Sequence, residues 1–158
     1  MNLHEELIER LARRRSHQLG NLSPAAYAEL VLSVREQPEA YVDHDADQAF
    51  MQLVAAVDRV MRSREDDDLR DDDAFMEERS NRMARLLHDC EQALAVCPES
   101  VHARLLAVLA SDKEPDDQLD ALLALQRDIT PLQEPLEQTD VGDAWLNVFT
   151  RGRLRVLA

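Results

Sequence analysis

Glycine is nearly missing from this chain, with three in 158 residues against the ~7% of an average soluble protein. Tight hairpins need residues that tolerate positive φ, and strands favour β-branched and aromatic side chains. Aromatics make up only 4% of the residues, while Leu and Ala dominate the 45% hydrophobic fraction. These shortages exclude an open sheet and predict an all-α protein. Long apolar runs are also lacking: no window approaches the ~18 uninterrupted apolar residues of a membrane span. Lysine occurs once, at Lys113, and every other cation is arginine.

Cysteine is scarce as well. Cys90 and Cys97 lie seven apart, about 10 Å of rise within one helix and too far for a disulfide. Unpaired thiols and a charged opening, MNLHEE, lead to the expectation of a cytoplasmic protein. Acid is what the chain has in excess. Its net charge of -14 repels phosphate backbones, so no nucleic-acid or membrane partner is expected. The same field favours solubility and a partner carrying Arg or Lys.

Seven helices are predicted. The first covers residues 2–19, with Leu3, Leu7, Ile8, Leu11 and Ala12 as its apolar stripe and Arg13, Arg14 and Arg15 complementing the dipole near its end. Gly20 stops it. Ser23-Pro24 opens the second helix, which buries Tyr27, Leu30, Val31 and Val34 and ends before Pro38. The third, residues 45–64, carries two adjoining stripes, Phe50–Val54–Val57–Met61 and Ala49–Leu53–Ala56–Val60. A face that wide requires neighbours on more than one side. The acidic run EDDDLRDDD, residues 65–73, separates this N-terminal group (1–64) from a C-terminal array (74–158).

The fourth helix, residues 72–96, has a seam of Met83, Leu87, Cys90, Leu94 and Cys97, and Pro98 closes it. The fifth, residues 99–111, turns Val101, Leu105, Val108 and Leu109 inward. The sixth, residues 116–129, presents Leu119, Leu122, Leu123, Leu125 and Ile129. Pro131 follows Pro98 by 33 residues, the step length of stacked helix hairpins. A seventh helix starts at Asp140 with Val141, Ala144, Trp145, Val148 and Phe149, Trp145 anchoring it. The apolar, uncapped end at residues 153–158 reads as a helix cut from a longer protein.

Residues 86–98 resemble the second helix of a tetratricopeptide repeat. Leu86, Cys90 and Ala93 take its packing positions, Leu94 follows and Pro98 ends the unit. Ala103 falls where the next repeat has a small residue, and the likeness extends over residues 86–131. Arg104, Val108 and Ser111 depart from the pattern, and Ala121 and Leu125 fit only after a one-residue gap. The resemblance implies a right-handed solenoid of antiparallel hairpins that binds a peptide or protein.

No group of residues reads as a catalytic or cofactor site. Counted from Asp66 as a calcium loop, position six is Asp71 instead of glycine, although Glu77 stands correctly at position twelve. His88, Cys90, Cys97 and His102 are zinc-type ligands, but His88 and Cys97 point to opposite sides of one helix. Asp43, His44 and Asp45 read as the cap of the third helix. Expected site residues are therefore none, catalytic or metal, with no cofactor. The expected function is a non-catalytic scaffold or adaptor for a protein or peptide partner. The alternative is a regulatory or oligomerisation domain, such as a homodimer burying Leu154, Val156 and Leu157.

Overall fold

The computed structural model describes residues 2–20, 22–111, 113–129 and 148–157. Among them are seven α-helices, two short 3-10 turns and no strand. Most helices start where the sequence supplies an oxygen or nitrogen for an orphan backbone N–H. Asn2 caps α1 (Leu3–Leu19), accepting from His4 N at 3.0 Å. Ser23 caps α2 (Pro24–Glu36), and His44 caps α3 (Asp45–Arg62) by accepting from Ala46 N on Nδ1 at 3.1 Å. Asp71 caps α4 (Asp72–Val96) and Ser100 caps α5 (Val101–Ala110). Then come α6 (Pro115–Ile129) and α7 (Arg151–Leu157). Gly20 closes α1 at φ 86°, a conformation that strains any residue with a Cβ.

The packing is mostly between neighbours in the chain. The pairs α1/α2, α3/α4 and α5/α6 touch, and α1, α3, α5 and α7 meet in succession. Helix α3 belongs to both apolar cores. Its Ala49, Leu53 and Ala56 join Leu86, Cys90 and Ala93 of α4 and Ala103 and Ala110 of α5. On its other side Phe50 joins Leu7, Ile8, Leu11 and Ala12 of α1 and Val34 of α2. The two stripes expected on this helix thus face two different partners.

Small residues take several of the most buried positions, and some larger ones lie outside the core. Helix α5 packs through Ala103 and Ala110, leaving Leu109, expected to face inward, about half exposed. In α6 Leu125 and Ile129 are buried, whereas Leu119 and Leu123 are turned out. Met61, the last member of its stripe, also emerges at the end of α3. The helix expected from Asp140, with Trp145, lies outside the described residues. Val148 and Phe149 are buried in a turn leading into α7. Leu154 and Val156 are half-buried there, and the Leu157 side chain lies outside the described residues.

The acidic run is a tied loop. A 3-10 turn over Asp67–Leu69 is held by Arg82 of α4, which is 5% exposed. Arg82 donates to Asp67 Oδ2 at 3.1 Å, to Asp67 Oδ1 at 2.7 Å and to the Ser63 carbonyl at 3.1 Å. Arg70 adds a bond to Asp67 at 2.9 Å. The Arg82 contact holds the Asp67 carboxyl below the usual carboxylate range.

Neither cysteine is in a disulfide; Cys90 is buried and Cys97 partly exposed. Burial pushes the Cys90 thiol up to about 11, helped by Asp89 and Glu91 beside it. An aromatic disulfide reagent at pH 8 should therefore modify Cys97 alone in the native protein and both thiols in denaturant. Rapid native uptake of two equivalents would contradict this packing of α4.

Candidate functional site

Charged side chains lie inside the molecule where α1, α3, α5 and α7 converge. Helix α1 places Glu6, Arg10 and Arg14 at intervals of four, a stripe beside its apolar one. Glu6 and Arg10 are each 1% exposed, and Asp47, in the first turn of α3, is fully buried. Asp47 accepts from both arginines. Arg10 Nε reaches Oδ1 at 3.3 Å, Arg14 Nη2 reaches Oδ1 at 3.2 Å, and Arg14 Nε bonds Oδ2. The Arg10 guanidinium lies between two rings, 5.1 Å from the Phe50 centroid and 5.0 Å from that of Phe149. Phe149 also covers Arg14 at 5.2 Å. Such stacking suits the planar, weakly hydrated guanidinium better than an ammonium.

Glu6 is the second carboxylate of the group. Arg155 of α7 grips it in a fork, Nη1 to Oε1 at 3.2 Å and Nη2 to Oε2 at 2.5 Å. One turn back, Arg151 donates to Glu9 at 2.8 Å. His102 of α5 completes the group. Its Nε2 stands 3.4 Å from Glu6 Oε1, a loose contact too poorly aligned for a full hydrogen bond. The Phe50 ring meets it edge-on at 4.7 Å between centroids.

Burial alone would raise the Glu6 carboxyl, but His102 and Arg155 outweigh it and hold the group at about 2. His102 shifts down from its usual 6.5, mainly by burial and further by Arg10 and Arg155, with Glu6 pulling the other way. At neutral pH Glu6 is thus ionised and the His102 imidazole uncharged, beside Asp47 and the side chains of Arg10, Arg14 and Arg155. Glu6 is therefore not poised to move a proton near pH 7, because a general base works best with a pKa near the working pH. The chemistry the arrangement performs is joining: one carboxylate per pair of helices, satisfied by forked arginines. A cleft of about 530 Å³ opens beside it, floored by Ile8, Tyr27 and Val31 and rimmed by the Glu5–Arg35 pair.

The zinc-type residues are not brought together. His88 faces solvent near Glu91, Cys90 lies in the α3–α4–α5 core, and His102 is in the charged cluster. Among the described residues no group of three or more metal-ligating side chains converges, and no helix is long and apolar enough to cross a membrane. Arg14 departs from the expectation that it complements the helix dipole with Arg13 and Arg15: it is buried on Asp47. The four-residue spacing of Glu6, Arg10 and Arg14 was the available signal. Nothing local marked Asp47 as their partner, since it reads as one more acid in a helix N-terminus.

Comparison of the chain with family models, curated proteins and solved structures finds no match.

The Glu6 carboxyl has its folded-state pKa depressed, so its stabilising effect is complete above its unfolded value near 4.5 and is lost as pH falls toward 2. Urea unfolding should show stability dropping by about 3 kcal/mol across that window from this group. Glu6→Gln should remove most of that slope. An unchanged slope in the variant would show that Glu6 is not held by Arg155 and His102.

Proposed function

We propose that this chain is a non-catalytic adaptor that binds a basic protein or peptide, with its helices stacked as hairpins in the tetratricopeptide manner. The succession of contacts along α1, α3, α5 and α7, with α2, α4 and α6 paired to them, supports a stacked reading. The observation that carries the function is Leu69. It is 84% exposed at the tip of a turn that a buried arginine fixes in place. Free loops expose leucines cheaply. A leucine held out on a clamped turn, among the exposed acids Glu65, Asp66, Asp68, Asp72 and Asp73, has the form of an anchor inside a charged rim. Met61 and Met76, both more than half exposed, flank the same run and supply adaptable apolar contact. An arginine- or lysine-bearing amphipathic segment matches that chemistry.

A second reading is favoured by α6. Leu119 and Leu123 are exposed on successive turns, which suits a second copy of the chain. Sedimentation separates the two: an adaptor runs as a monomer, and a dimer abolished by Leu123→Glu supports self-association.

The variant that tests the adaptor reading keeps the clamp at Asp67 and the cap at Asp71. It combines Leu69→Ala with Asp66, Asp68, Asp72 and Asp73 changed to Asn. Cross-linked capture from lysate should recover an Arg/Lys-rich partner with the native chain, reduced about tenfold (~1.4 kcal/mol) with the variant. Recovery should also fall with added salt. The same partners at the same yield with both chains would refute it.

A further inference from the structure

The segment 148–157 is joined to the rest of the molecule by mixed chemistry. Val148 and Phe149 are buried anchors. Beyond them, α7 packs on α5 and α6 and is tied to α1 through charge, with Arg151 on Glu9 and Arg155 on Glu6. Gly152 sits between those pairs and lies directly against the His102 ring. A Cβ on Gly152 would stand 2.7 Å from Cε1, 3.0 Å from Nδ1 and 3.2 Å from Nε2. The imidazole is thus roofed by α7 backbone, met edge-on by Phe50 and flanked by Glu6.

We infer that α7 is a proton-released latch: when acidification charges His102, the helix lifts from α1. A charged imidazole needs water or a carboxylate of its own. Among the described residues the carboxylate beside the ring is Glu6 from α1, 3.4 Å away, and it is shared with the Arg155 fork on both oxygens instead of serving the ring alone. Arg10 from α1 and Arg155 from α7 oppose charge on the ring, while α3 presents it with the Phe50 ring. The latched ring is therefore kept neutral. Lifting α7 removes the Gly152 roof and the Arg155 charge together and lets water reach His102.

The direction follows from linkage. With α7 raised, the ring takes its proton near the ordinary 6.5; latched, it does so at lower pH. The latch is complete above pH 6.5 and weakens as pH falls below it. Glu6 stays ionised through this range, so the ring is the group that changes. This inference stands apart from the adaptor reading, since none of the residues it uses belongs to the acidic loop.

The test is amide exchange of residues 151–157 in the full chain, normalised to intrinsic rates, at pH 7.5 and 5.5. Protection of α7 should fall about tenfold, the factor given by one proton bound at 6.5 in the open state alone. Protection of α4 should hold. In His102→Gln the fall should vanish, and Gly152→Ala should lower α7 protection already at pH 7.5. Equal α7 protection at both pH values, or a fall that persists in His102→Gln, would overturn the inference. If His102→Gln does not fold, NMR of the native chain decides. The His102 Cε1–H and the Gly152 amide should titrate on one curve, and a stationary Gly152 amide would refute the latch.

Discussion

A carboxylate with no access to water, Asp47, is the constraint around which the molecule is arranged. Removing such a group from solvent costs several kcal/mol, and its partners must return that in full or the fold rejects it. Here the return comes from two guanidiniums of one helix, Arg10 and Arg14, supplied at a four-residue interval. Both partners are buried, Arg10 more deeply than Arg14, and the Phe50 and Phe149 rings lie against the guanidiniums. The result fixes how α1 lies across α3, because sliding either helix by one turn would strand a buried charge. Apolar contacts tolerate such a slip far better.

That division of labour runs through the fold. Helix α3 meets α4 and α5 mainly through apolar side chains, Leu53 and Leu86 among small residues such as Ala49, Ala56, Cys90 and Ala103, with the Arg59–Asp89 pair joining α3 to α4 nearer the surface. It meets α1 through Phe50 in the second core and through the Asp47 ion pairs, and Phe149 of the C-terminal segment lies over Arg10 of α1. Glu6 repeats the device on a smaller scale, tying α1 to α5 and α7. A chain with a net charge of -14 keeps a local excess of cations at its centre. The acid lies outside, and its one deeply engaged member in the loop, Asp67, is again held by an arginine. The shortage of lysine is consistent with this, since forked recognition of carboxylates needs guanidinium.

Much of the fold was legible in the residues. Proline, serine and asparagine at helix starts and Gly20 at a helix end marked the elements, because capping depends on local chemistry alone. The double stripe of α3 correctly announced two neighbours. What could not be read was which apolar positions win the core, so Leu109 is expected inward and lies outward. The charged cluster was hidden for a different reason. Glu6, Arg10, Arg14 and Asp47 are unremarkable in a sequence with 32 acidic residues and 18 basic ones, and only the tertiary meeting of α1 with α3 distinguishes them from surface pairs. The clamp on the acidic run was equally invisible, since Asp67 and Arg82 are fifteen residues apart and belong to different elements.

The measurement that bears most directly on this account is a double-mutant cycle between Asp47 and Arg14, read by urea unfolding. Asp47→Ala and Arg14→Ala should each destabilise strongly, and together they should cost far less than their sum. A coupling of about 2–3 kcal/mol is expected for a buried, multiply bonded pair. Additive effects, with coupling below about 0.5 kcal/mol, would place these side chains in solvent and remove the joint on which the arrangement of α1, α3 and α7 depends.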